Sequence, residues 1–178
     1  GKYRNYVKAS GRRLVARLLS IKEIIMTKTI LITGSTDGIG LEAARMLLAQ
    51  GHRVLIHGRS AAKLEKAAQS LATAASSQQI ESYLADLSDL KAVENLATAV
   101  AAKHDRLDVL VNNAGVFRTT EPLTLDGLDV RFVVNTMAPY LLMQRLLPLL
   151  GTDARVINVS SAAQSPVDSE ALAGRVSV

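Results

Sequence analysis

Two periodicities alternate along most of this chain. Short β-branched runs occur at 29–33 (TILIT), 53–57 (RVLIH), 80–84 (IESYL), 107–111 (LDVLV) and 155–159 (RVINV). Between them, near 39–50, 60–75, 88–103 and 126–150, lie segments rich in Ala, Leu, Lys and Glu. The short runs have the length and composition of buried strands, and the intervening segments those of helices. Ser60 and Ser88 stand where helix N-caps belong, and Gly51 where a helix-terminating glycine belongs. Strands alternating with helices predict βαβ units and a parallel sheet covered on both faces. The expected architecture is an open, doubly wound α/β fold. Pro139 falls inside the last helical segment and predicts a kink there. Leu141, Leu142, Met143, Leu146 and Leu147 read as core or subunit-contact positions.

Composition narrows the class. The 178 residues are 48 % hydrophobic, enough for one domain with a real core. Cysteine is absent, which removes disulfides and thiolate chemistry and fits a reducing, cytoplasmic setting. No apolar run approaches the roughly 18–20 residues that span a bilayer. His52, His57 and His104 are scattered without ligand spacing, so no metal site is expected.

The net charge of +5 is unevenly placed. Residues 1–25 hold Lys2, Arg4, Lys8, Arg12, Arg13, Arg17 and Lys22 against the single acid Glu23. The rest is close to neutral, so the basic balance describes a tail rather than a domain face. With only two Phe and four Tyr in all, a nucleic-acid partner is not expected. Leu14, Leu18, Ile21 and Ile25 fall at helical spacing opposite the arginines, in the manner of a basic amphipathic helix. The stretch is Arg-rich and acid-poor like a transit peptide, but it has no initiator Met, whereas Met26 opens MTKTILITG. Residues 1–25 are therefore expected to be a basic extension, upstream or non-native, and 26–178 the domain proper.

The candidate chemistry begins at TGSTDGIG (Thr33–Gly40), between the first strand and the first helix. A glycine at 34 suits a sharp turn, and one at 38 lets backbone N–H groups approach a pyrophosphate. Gly40 lets helix and strand pack closely, while the helix N-terminus supplies positive dipole. A dinucleotide site is the expectation.

With its G-xxx-G-x-G spacing, the segment resembles the short-chain dehydrogenase/reductase superfamily, whose hallmark is TGxxxGIG. The likeness continues in order through Asp86-Leu87, NNAG at 112–115, Asn135 and INVSS at 157–161, and the stretch SPVDSEALAGRVSV that follows resembles the longer insertion of the retinol dehydrogenase-like branch. It implies a Rossmann fold with strand order 3-2-1-4-5. It implies a cofactor loop of Gly34, Ser35, Thr36, Asp37, Gly38, Ile39 and Gly40. Asp86 would hydrogen-bond the adenine amino group beside Leu87, and Asn113, Ala114 and Gly115 would line the cofactor. Asp86 also reads as a helix N-terminal acid, and Asn112 and Asn113 as turn residues.

At the end of the second strand, where an acid would bind the ribose hydroxyls of NAD, the chain reads Gly58-Arg59. A guanidinium forks onto phosphate, which favours NADP over NAD. Asp37 counts against this, because many NADP-preferring relatives carry a cation there. Replacing Gly58 by Asp and Arg59 by Ile is expected to reverse the preference.

By the same resemblance, Ser161 would hydrogen-bond a substrate carbonyl and Asn135 would help organise a water relay. A YxxxK motif would follow to supply the proton. Tyr140 is the last tyrosine, however, and no lysine follows Lys103. The chain is therefore expected to be a C-terminally truncated, inactive N-terminal portion of an NADP-dependent oxidoreductase. Its substrate would be a small carbonyl or alcohol, and the complete protein a homo-oligomer. The alternative is a non-catalytic dinucleotide-binding or interaction module.

Overall fold

The computed structural model describes residues 27–73, 79–161, 168–173 and 175–176. The expected basic extension at 1–25 and most of the stretch after Ser161 lie outside the described residues. Five strands form one parallel sheet: β1 Thr29–Ile32, β2 Arg53–Gly58, β3 Ile80–Leu84, β4 Leu107–Asn112 and β5 Leu150–Asn158. Their order is β3-β2-β1-β4-β5, as the resemblance implied. The chain reverses its direction of winding between β1 and β4, which opens a crevice at their carboxyl ends.

Side-chain alternation along the strands explains why both sheet faces need helices. Ile30 and Ile32 of β1 with Val54 and Ile56 of β2 face α1 (Gly38–Ala49) and α2 (Ala61–Leu71), meeting Ala44, Leu48, Leu64 and Leu71. Leu31, Leu55 and Leu110 point the other way. There they meet Val93, Leu96 and Val100 of α3 (Leu90–Ala101) and Leu142 and Leu146 further on. Leu31, Ile32, Leu55 and Ile56 are all fully buried. Burying each such side chain stabilises the fold by about 1.5–3 kcal/mol. Among the described residues, no helix is long and apolar enough to cross a membrane.

Several boundaries follow the sequence reading and others depart from it. Ser60 caps α2, its hydroxyl accepting from Lys63 N at 3.4 Å, and Gly51 ends α1 with φ +87°. The expected cap at Ser88 is instead Asp89, whose carboxylate accepts from Lys91 N at 2.8 Å. Ser88 is drawn away because its N–H and hydroxyl both donate to Asp86 Oδ1, at 2.9 and 2.7 Å.

The expected long helix at 126–150 is four pieces. A short α4 (Val130–Phe132), capped by the carboxylate of Asp129, runs into a π-helical turn over Val133–Met137. Then α5 spans Ala138–Leu146 and ends in a 3₁₀ turn over Leu147–Leu149. Pro139 sits in the first turn of α5, where its missing N–H costs little, so the wider π turn takes the place of a simple kink. Strand β5 begins at Leu150, five residues before the apolar run, with Leu150 paired to Leu107 across an irregularity in register. Gly151, Thr152 and Asp153 are exposed there, so no apolar signal marks them. A four-residue helix, α6 (Ser169–Leu172), is the last described element.

Candidate dinucleotide and substrate site

The glycine loop is held from both sides by side chains of the neighbouring strands. Gly34 has φ +63°, and a Cβ there would lie 2.8 Å from Ala114 Cα. Its N–H donates to His57 Nδ1 at 3.1 Å, and its carbonyl accepts from Asn113 Nδ2 at 3.0 Å. Asn113 Nδ2 also donates to Thr33 O at 3.0 Å. The Thr33 hydroxyl accepts from the backbone N–H groups of Asn113 and Ala114, at 3.0 and 3.1 Å. A Cβ on Gly40 would come within 2.4 Å of Gly34 O and 2.5 Å of Asn113 Nδ2, so the bare glycine is what lets helix α1 start so close to β4. Gly38, by contrast, has φ +53° and open space around it.

His57 lacks metal-ligand spacing in the sequence. In the fold it is 3 % exposed and bridges two loops, with Nε2 facing Ala85 O at 3.1 Å. Because Nδ1 accepts from Gly34 N–H, the partners assign the ring proton to Nε2. Burial pushes its pKa down to about 4, only partly offset by the Ala85 carbonyl and the Asp86 carboxylate. The imidazole is therefore neutral at ordinary pH. This residue carries no sequence signature beyond standing at a strand end, whereas Thr33 opens the TGxxxGIG pattern.

Two adjoining cavities lie along the carboxyl ends of the strands. One, of about 390 Å³, is bordered by Gly34, Thr36, Asp37, Ile39, Gly40, Gly58, Arg59, Asp86 and Leu87. The other, of about 620 Å³, is bordered by Asn135, Tyr140, Met143, Asn158, Ser160 and Ser161. Asn113, Ala114, Gly115 and Val116 border both, so the loop after β4 divides one continuous crevice. The structure thus brings together nearly every site residue expected from the sequence. Gly38 borders neither cavity, and Ser35 is turned away from both. It is fully buried, its hydroxyl donating to Ile32 O at 2.9 Å and accepting from His57 N at 2.9 Å.

Several groups around the crevice have telling partners. Asp37 caps α1, Oδ1 accepting from Gly38 N at 2.8 Å. Asp86 rims the first cavity, while Leu87 is buried beside it. Arg59 is exposed and, among the described residues, makes no ion pair. Asn135 lies in the π turn and binds both backbone groups of Val116, at 2.8 and 2.9 Å. Asn112 Nδ2 donates to Asn158 Oδ1 at 2.8 Å, tying β4 to β5 where the second cavity opens. Asn112 Oδ1 is buried and, among the described residues, has no partner.

A parallel sheet of this order, with a glycine loop at its switch point, defines a Rossmann-type dinucleotide fold. The chain belongs to the short chain dehydrogenase family, whose model matches residues 28–171. Among curated proteins it is similar to Retinol dehydrogenase 13 of Homo sapiens, 34 % identical over 144 residues, which are 80 % of this chain and 44 % of that protein. It is 38 % identical to Retinol dehydrogenase 12 of Mus musculus over 138 residues, 76 % of this chain and 44 % of that one. The chain thus spans less than half the length of these relatives. Among solved structures it is similar to a metagenomic short-chain oxidoreductase in complex with NADP, with TM-score 0.68 and 34 % identity, covering 83 % of this chain and 71 % of that one. A Pseudomonas aeruginosa RhlG/NADP active-site complex matches with TM-score 0.67 and 31 % identity, covering 84 % and 61 %.

Proposed function

We propose that this chain is the cofactor-binding portion of an NADP-dependent oxidoreductase that interconverts a small carbonyl and an alcohol. The observation that carries the reading is the end of β2. Gly58 presents no side chain there, and the next residue, Arg59, offers a guanidinium with no ion pair among the described residues. A forked cation beside an acid-free ribose corner suits a 2′-phosphate. The NADP named for both structural neighbours supports it.

The bare backbone around Gly34, Gly38 and Gly40 fits a pyrophosphate at the start of α1. The rim position of Asp86 suits an adenine amino group, and Asn113, Ala114 and Gly115 would flank the cofactor as it passes between the cavities. When bound, the nicotinamide supplies hydride chemistry. Toward the substrate, Ser161 would donate a hydrogen bond to the carbonyl oxygen as negative charge grows there. Asn135 would act by holding the loop that divides the crevice. The proton donor does not lie among the residues that follow Ser161 here, since Tyr140 is the last tyrosine. A second reading is a dinucleotide-binding module of the same family without turnover. In the first reading the complete protein is a cytoplasmic homo-oligomer.

Calorimetric titration with NADPH and NADH tests the cofactor reading. NADPH is expected to bind more tightly, and Arg59→Ala to weaken NADPH about tenfold or more while leaving NADH nearly unchanged. Tighter NADH binding by the unaltered chain would overturn it.

A further inference from the structure

Thr36 and Gly58 meet where the glycine loop passes the end of β2. A Cβ placed on Gly58 would lie 2.4 Å from Thr36 Cγ2, with Thr36 Oγ1 at 3.5 Å and Thr36 Cβ at 3.6 Å. Carbon atoms in good contact sit about 3.5–4.0 Å apart. The threonine methyl therefore fills the volume in which any side chain at 58 would begin.

Neither partner can easily give way. Threonine is branched at Cβ, so its χ1 has few wells. To clear Gly58 it would have to turn its Cβ hydrogen toward β2. The two backbones are also tied together: Ser35 N donates to His57 O at 2.9 Å, and Ala85 N donates to Gly58 O at 3.2 Å. The end of β2 is thus fixed against the loop on one side and against the β3 end on the other. Gly34, one residue closer to β1, is pinned in turn by His57 Nδ1.

Position 58 matters because an acid about twenty residues beyond the glycine loop binds the ribose 2′-hydroxyl in NAD-selective sites. We propose that Thr36 is a specificity-determining residue: its methyl group bars an acidic side chain from position 58 and so leaves the ribose corner to Arg59 and a 2′-phosphate. This rests on the NADP reading above. It also revises the exchange expected from the sequence, because replacing Gly58 and Arg59 without relieving Thr36 would drive an aspartate into a filled volume.

The experiment is a double-mutant cycle between positions 36 and 58, with cofactor binding read by calorimetry and folding by thermal midpoint. Gly58→Asp alone is expected to lower the midpoint and to gain no NADH affinity. Combined with Thr36→Ser, which removes the methyl and keeps the hydroxyl, the same change is expected to recover the midpoint. It should then bind NADH about tenfold more tightly than Gly58→Asp alone. Thr36→Val keeps both branches and loses only the hydroxyl, so in combination with Gly58→Asp it should behave like the single variant. Equal NADH affinity and equal midpoints for Gly58→Asp with and without Thr36→Ser would overturn the proposal.

Should Gly58→Asp fail to fold, Gly58→Ala reads the same contact through the midpoint alone. A cost in the threonine background that vanishes with Thr36→Ser supports the proposal, and an unchanged cost refutes it. That arm needs no cofactor. A chain that prefers NADH at the outset would therefore remove the NADP reading while leaving the steric lock separately testable.

Discussion

The Asn135 side chain closes on both polar groups of one peptide segment. Its Oδ1 accepts from Val116 N at 2.8 Å and its Nδ2 donates to Val116 O at 2.9 Å. The pair spans from the π turn before α5 to the loop after β4, which separates the two cavities. Asn135→Leu should lose both bonds without creating an empty volume. With solvent near both groups, the expected loss is about 1–2 kcal/mol, a fall of a few degrees in midpoint. The larger effect should be on cofactor affinity, because a loosened divider no longer holds Gly115. An unchanged NADPH titration would show that the loop keeps its place without Asn135.

His57 makes stability depend on pH in a defined direction. Its folded pKa is lowered from 6.5 to about 4, so between those values the unfolded chain binds a proton that the folded chain does not. Its contribution is fully present above 6.5 and is lost as pH falls toward 4, by about 3 kcal/mol in all. Comparing urea unfolding of the unaltered chain and of His57→Asn across that interval isolates the effect from titrating carboxylates. The variant should show the shallower fall. Parallel curves would mean that the imidazole is already protonated in the fold.

Gly40 and Gly38 differ in why they are glycine, and alanine should expose the difference. At Gly40 the new Cβ meets backbone, Gly34 O at 2.4 Å, which cannot swing aside. Gly40→Ala should cost upwards of about 2–3 kcal/mol, because the glycine loop must move off β4. At Gly38 nothing lies within 4 Å, and only the left-handed backbone is disfavoured. Gly38→Ala should cost about 1–2 kcal/mol. Denaturant midpoints of the two variants give the ranking directly, and a reversed order would contradict the packing described here.

Tyr140 is the last tyrosine of these 178 residues, so turnover by them tests whether they hold a proton donor. On the proposed reading Ser161 would polarise a carbonyl, and a positioned acid would contribute about 10²–10⁴-fold in rate. The 178-residue chain is expected to bind NADPH and to show no Ser161-dependent oxidation of it with a panel of aldehydes and ketones. Robust turnover that disappears in Ser161→Ala would place the acid within this chain, with Tyr140 the first residue to change.

What the sequence determined by itself is the part encoded by short-range pattern. Alternating apolar runs of strand and helix length dictated the βαβ succession. Burial of both faces of a parallel sheet leaves few other ways to hide Leu31 and Ile32, which point in opposite directions. The glycine spacing and the HGRS stretch placed the crevice and its cation in advance. The pattern was silent wherever a strand is exposed or a helix changes pitch, which is why β5 starts early and the helix before it breaks into four. Only the tertiary structure decided what the side chains at the strand ends do. That His57 holds Gly34, that Asn135 holds Val116 and that the Thr36 methyl fills the space before Gly58 all depend on contacts between distant segments. Such contacts turn on tenths of an ångström in backbone separation, and periodicity carries no information at that scale.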